Sequence, residues 1–198
     1  MAFRMRAKLR VAVIGRDGRV KERRTLSSNS FVRNAMIMMR FGLFAYKNVS
    51  TYVKDVNGSD VDINCGGYYA MYAGDATAPE GDDSYGIFVG TGTTNPTPDD
   101  YAPEAKVMHG SGSGQLHYYA CYVDDIVVDG NDISFKIRRN FENLSGESIT
   151  LYEFGVITYI YDGGLPANVL LLRDVDPSGV TLAPGDVLKV EYEIIVST

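Results

Sequence analysis

Tryptophan is absent from this chain, and cysteine and histidine occur only twice each among its 198 residues. Cys65 and Cys121 lie too far apart for zinc or redox motifs, which use closely paired ligands such as C-x-x-C. They read either as one disulfide between neighbouring strands or as two separate buried thiols. His109 and His117 flank the turn Gly110-Ser111-Gly112-Ser113-Gly114. If they met across a hairpin, Asp99 or Asp100 could complete a metal set; packing or surface positions are the simpler reading. Without indole faces a sugar cleft loses its commonest platform. Long apolar runs are missing too. The most apolar helical stretch, near 35–45, is interrupted by Arg40 and Gly42 and is shorter than the roughly 20 residues that cross a bilayer. Val11-Ala12-Val13-Ile14 is shorter than the roughly 7–15 apolar residues of a secretory signal. The expectation is a protein neither exported by such a signal nor embedded in a membrane.

Reaction motifs are equally scarce. Gly86-Ile87-Phe88-Val89-Gly90-Thr91-Gly92-Thr93-Thr94 has the glycines of a phosphate loop, but not its Gly-Lys-Ser/Thr ending, and no helix pattern follows it. There is no G-x-S-x-G elbow. The acid pairs Asp82-Asp83, Asp99-Asp100 and Asp124-Asp125, with Asp129 and Asp132, lack EF-hand spacing; they read as a loop calcium site or as solvated turn acids. The chain is therefore expected not to be an enzyme and to need no cofactor.

What is present is β chemistry. Fourteen Tyr, eight Phe and twenty-one Gly, with a mean hydropathy of −0.10, suit strands and turns better than a helical bundle. A chain of this length buries about 70% of its unfolded surface and holds a core without staples. Lys8–Ile14 and Arg19–Arg24 alternate around Gly15-Arg16-Asp17-Gly18, predicting a β-hairpin. Ser27-Ser28-Asn29-Ser30 offers N-caps to a helix over 30–45. Further strands are predicted at 49–56, 60–64, 67–73, 85–90, 115–128, 132–141, 148–161, 168–174 and 187–196, with polar loops at 74–84 and 91–106. The predicted fold is mainly β: an antiparallel β-sandwich or jelly roll with an N-terminal hairpin and one α-helix. Residues 1–46 form the hairpin-plus-helix unit and 47–198 the sandwich.

Charge is unevenly spread. Residues 1–24 hold nine basic side chains against Asp17 and Glu22, a net of +7, while the rest of the chain carries −13. A basic arm on an acidic body favours head-to-tail contact between copies, and the plain alternative is a solvated hairpin. Nucleic acid is not an expected partner, because the basic run lacks interleaved stacking aromatics. Asn48, Asn57 and Asn143 sit in glycosylation sequons, relevant only to an externally displayed protein. Tyr68, Tyr69, Tyr72, Tyr118, Tyr119 and Tyr122 are candidates for a ligand-facing surface or for ordinary strand packing.

Three phrases carry a resemblance. They are Gly90-Thr91-Gly92-Thr93-Thr94 running into Pro96-Thr97-Pro98-Asp99-Asp100-Tyr101; Arg139–Thr150 with Glu153-Phe154-Gly155; and Leu170-Leu171-Leu172-Arg173-Asp174-Val175 followed by Val180–Val190. Together they resemble structural proteins of tailed phages and archaeal viruses. The resemblance implies a virion component, a capsid, tail or tail-appendage subunit assembled in the host cytoplasm, whose partners are its own copies and other virion proteins. The contacts expected on this reading are Arg4, Arg6, Lys8 and Arg10 of the hairpin, with Phe31, Met38, Phe41 and Phe44 burying apolar surface on the next copy. The alternatives are a carbohydrate- or surface-binding module and a cellular extracellular filament subunit.

Overall fold

The computed structural model describes residues 4–28, 31–44, 52–63, 74–161 and 166–197. The predicted strand at 67–73, the turn Asp162-Gly163-Gly164, Cys65 and Asn48 lie outside them. The described chain is built of antiparallel strands and one helix. In order these are β1 (Arg4–Ile14), β2 (Val20–Ser28), α1 (Arg33–Phe44), β3 (Tyr52–Lys54), β4 (Asp60–Asp62), β5 (Gly86–Gly90), β6 (His117–Val123), β7 (Val127–Asp129), β8 (Asp132–Glu142), β9 (Ile149–Tyr161), β10 (Pro166–Leu182) and β11 (Val187–Ser197).

The larger sheet runs β2-β1-β11-β8-β6, with β7 continuing the β6 edge by pairing with the start of β8. The smaller runs β10-β9-β5, and β3 and β4 form a separate ribbon. Strand alternation explains how the sheets meet, since side chains two apart share a face. Leu9, Val11 and Val13 of β1, Leu188, Val190 and Tyr192 of β11 and Ile87 and Val89 of β5 enter one core common to both sheets. The intervening Phe88 points the other way, into a second core with Val32, Ile157 and Leu170. A third holds Val53, Ile160, Ala167 and Val169, against which Ile37 and Met38 of α1 pack. The smaller sheet is thus buried on both faces, which is why β5 reads Gly-Ile-Phe-Val-Gly without a polar position.

The β1–β2 hairpin extends the larger sheet of this body. β1 pairs residue by residue with β11, from Arg4 opposite Ser197 to Ile14 opposite Val187. Four alternating apolar side chains, Ala7, Leu9, Val11 and Val13, are buried. At ~25 cal/mol per Å² of apolar area, burying these side chains stabilises the hairpin in its own sheet.

β10 also runs longer than its sequence suggests. Asp176-Pro177-Ser178-Gly179 reads as a turn, yet the strand passes through it as a bulge opposite β9. Gly179 takes a φ of 64°, and the Asp176 carboxylate accepts from the Ser178 amide at 3.0 Å and from Arg24 at 2.7 Å.

Candidate functional site

The basic side chains proposed for subunit contact find their counterions at home. Arg10 donates to Glu191 and Glu193 of the adjacent β11, both at 2.6 Å; Arg6 pairs with Asp132 at 3.1 Å and Lys8 with Glu193 at 4.0 Å. Lys21 reaches the buried Asp186 at 2.7 Å. Alternation causes this: on the outer face of the sheet the basic positions of β1 stand beside the acidic positions of β11. Arg4 lies opposite Ser197. Phe31 packs half-buried against the main core and Met38 against the third. Phe41 and Phe44 fall in the last turns of α1, where the side chains lie outside the described residues.

The phrases that carry the viral resemblance meet in space. Arg173, 3% exposed as a side chain, directs its guanidinium at three carboxylates: Nε to Glu153 at 2.7 Å, Nη1 to Asp100 at 2.9 Å and Nη2 to Glu104 at 3.1 Å. Glu153, fully buried, also accepts from the Glu104 and Ala105 amides at 2.7 and 3.0 Å. Glu104 in turn accepts from the Thr94 amide and hydroxyl at 2.8 and 2.7 Å. Burial alone would raise the Asp100 pKa, but hydrogen bonds from Thr97 and Arg173 outweigh it and hold the carboxyl below its usual range. The Thr94 hydrogen bonds hold Glu104 low as well.

The glycines of the first phrase serve this cluster. A Cβ on Gly90 would meet Glu153 Oε2 and lie 2.7 Å from the Ala105 carbonyl oxygen, and one on Gly92 would lie 2.7 Å from both the Glu104 Cβ and Glu153 Oε2. The Gly-Thr-Gly run is therefore a close-approach device that lets residues 91–106 lie down on β9. Sequence reasoning missed the cluster because its members come from three distant segments. The one available signal was a lone Arg within the apolar run Leu170–Val175.

A second buried cation has no carboxylate among its hydrogen-bond partners. Arg139, 1% exposed, points inward from β8 and donates to five backbone carbonyls: Tyr119 at 2.7 Å, Tyr85 at 3.0 Å, Ile87 at 3.1 Å, Pro79 at 3.4 Å, and Asp82. Its guanidinium lies 4.7 Å from the Tyr118 ring centre. Burial lowers its pKa. It staples the loop 79–85 and β5 to the larger sheet, and Cys121, a buried free thiol, lies beside it.

The other candidates resolve plainly. His109 and His117 do approach, with ring centres 5.1 Å apart, but His117 Nε2 bonds Glu80 at 2.8 Å and His109 Nδ1 accepts from the Tyr118 amide at 3.1 Å. Asp99 and Asp100 face Arg33 and Arg173 instead. Among the described residues no three His, Cys, Asp or Glu side chains are grouped to hold a metal ion. Asn143 is fully buried and donates to the Glu147 and Leu182 carbonyls, so it offers no glycosylation acceptor in the folded chain. Asn57 sits exposed in the β3–β4 turn. Of the six tyrosines, Tyr68, Tyr69 and Tyr72 lie outside the described residues and Tyr118 is wholly buried. Tyr119 donates to Glu142 at 2.6 Å, and Tyr122 is exposed.

Two surface features remain. The first is a shallow depression of about 690 Å³ on the outer face of the larger sheet, lined among others by Ala12, Arg23, Tyr119, Tyr122, Asn140 and Lys189. Arg23, Ala12, Lys189 and Asn140 stand in one cross-strand row, and neither Arg23 nor Lys189 forms an ion pair among the described residues. The second is the end of the β6–β7 edge. Ile126 is 70% exposed, Val128 68%, Tyr122 62% and Val127 57%, with Val123 and Ile133 also exposed. Natural edge strands are usually blunted with charge or covered, so four large apolar or aromatic side chains open to water on one edge are a departure from that pattern.

Comparison with models of known families, with curated proteins and with solved structures finds no match to this chain.

Proposed function

We propose that this chain is a self-assembling structural protein whose work is done by contact between copies. The observation that carries this reading is the uncovered apolar end of the β6–β7 edge, on a body whose other apolar strand positions lie mostly in three cores. The resemblance of its three phrases extends the proposal to a virion subunit of the tailed-phage and archaeal-virus kind, with a β-sandwich of jelly-roll type and copies of itself and other virion proteins as partners. Supporting it, those phrases build an internal brace, the Arg173 cluster. A rigid brick has use for such a brace. Assembly on this reading proceeds through β7, and the hairpin's role is to complete the sheet.

Sedimentation velocity across a concentration series tests the reading. The expected result is a mass that rises with concentration and regular polymers by electron microscopy, both abolished by Val127→Asp. A single monomeric species at millimolar concentration would refute it.

A second reading, a module that binds acidic saccharide, is favoured by the depression where Tyr122 converges with Arg23 and Lys189, which form no ion pair among the described residues. Its test is binding to acidic polysaccharide that is lost on Lys189→Glu and weakened by Tyr122→Ala. Equal binding by the parent chain and Lys189→Glu would dismiss it.

A further inference from the structure

Resting on the self-assembly reading, we infer that the acid-flanked apolar tip of β7 docks on the basic outer face of α1 of a second copy, the contact centred on Val127 in one chain and Met36 in the other. The tip reads Asp125-Ile126-Val127-Val128-Asp129, three exposed apolar residues between two aspartates. Neither aspartate has a cationic partner among the described residues.

That pattern argues against the simplest occupant, another β7. In antiparallel pairing of β7 with itself, a register centred on Val127 sets Asp125 opposite Asp129 of the other copy. Registers centred on Ile126 or Val128 set an aspartate opposite an apolar side chain. Like charges facing each other destabilise a strand pair, and an aspartate against apolar surface loses hydration without gaining a partner. The tip therefore suits a surface with an apolar centre and a cation on either side.

Such a surface stands on α1; the other cation-flanked row, Arg23-Ala12-Lys189, has only a methyl group at its centre and offers the tip little apolar area. Arg33, Met36 and Arg40 fall at i, i+3 and i+7 and so share a face. All three are exposed, Met36 by 56%. Ile37 and Met38 fasten the helix's inner side to the third core. Arg33 and Arg40 lie seven residues apart, about 10.5 Å along the helix at 1.5 Å per residue. Asp125, two residues before β7, and Asp129 at its end lie four apart, at most about 13 Å of extended chain at ~3.3 Å per residue. A mismatch of about 3 Å is within the reach of an arginine side chain.

Among the described residues Arg33 pairs with Asp99 alone, and the two side chains are 69% and 67% exposed. Such a pair contributes little and exchanges readily. Arg40 has no ion-pair partner among the described residues. In one chain the two surfaces do not cover each other, since each is open to solvent. They belong to different layers, β7 to the edge of the larger sheet and α1 to the outer side of the smaller. The contact is therefore heterologous, head to tail, and propagates into a ring or an open filament.

Charge exchange in the full-length chain tests the pairing. Asp125→Lys/Asp129→Lys makes tip and helix both basic, and Arg33→Glu/Arg40→Glu makes both acidic. Each variant alone is expected to associate at least tenfold more weakly than the parent, with an unchanged circular dichroism spectrum because all four positions are exposed. An equimolar mixture is expected to recover association, since each tip then meets an oppositely charged helix. If either variant alone assembles like the parent, or if the mixture fails to recover, the β7–α1 pairing is wrong while self-assembly stands. If the parent chain itself stays monomeric, the broader reading falls with it.

Discussion

Replacing Arg173 by methionine removes the guanidinium that faces Glu153 and leaves a wholly buried carboxylate with two backbone amides for company. Asp100 and Glu104, with side chains 20% and 38% exposed, recover hydration, so the cost concentrates on Glu153. Removing one partner of a buried pair typically costs ~3–5 kcal/mol. For a chain near 200 residues the guanidinium m-value lies near ~5 kcal/mol/M, so the unfolding midpoint falls by roughly 0.6–1 M.

Arg173→Lys is expected to lose about half as much, because a point charge cannot serve three carboxylates on a fixed fork. The double variant Arg173→Met/Glu153→Leu separates a brace from a mere ion pair. A simple buried pair replaced by apolar side chains is often neutral, but here the Glu104 and Ala105 amides lose their acceptor, at ~1–3 kcal/mol for each one left buried and unmet. The double variant should therefore stay well below the parent, with new protease cleavage within 91–106. A midpoint shift under ~0.2 M for Arg173→Met, or a double variant as stable as the parent, refutes the reasoning.

Gly90→Ala sets a methyl against the Ala105 carbonyl and Glu153; it should destabilise by ~1–3 kcal/mol and release the same loop to protease. Arg139→Met leaves five carbonyls short of a donor. Even if water serves most of them, a loss of ~3 kcal/mol is expected, read as a fall of roughly 6–12 °C in Tm. Acid should loosen the loops before the cores. Asp100 is held low as above. Burial would raise Asp83, but the His109 amide and Lys106 outweigh it and depress this carboxyl too. Depressed carboxyls stabilise the fold above their ordinary pKa near ~4, and that stability is lost as pH falls through the lower folded values. The denaturation midpoint should therefore be level near neutrality and drop below about pH 4, less steeply in Asp100→Asn. An Asp100→Asn profile parallel to the parent's would contradict this.

Much of the fold is legible along the chain because strand period and turn chemistry are local. Asp-Gly at residues 17–18 marks the β1–β2 turn, and the alternation of Val187–Ile194 marks β11 with its wet face. The helix, predicted over 30–45, runs from Arg33 to Phe44. The bulge at Asp176–Gly179 was not legible, since its local chemistry is that of a turn and only the pull of Arg24 and the β9 ladder overrides it. Counterions were illegible for the same reason. That Arg10 belongs to Glu191 and Glu193 depends on β1 lying beside β11, a pairing between distant segments that no local pattern encodes. The charge asymmetry of residues 1–24 is legible as an imbalance along the chain, but not the cross-strand ion pairs with β11 that balance much of it.

The pairing of β1 with β11 also bears on the order in which the protein takes shape. As a ribosome releases the chain, the edge of Val11 that faces β11 stays open until Val190 emerges, so the larger sheet closes only once β8 and β11 have both been made. A protein organised this way is expected to gain its larger sheet in one step, without a long-lived state in which β1 is seated and β11 is not.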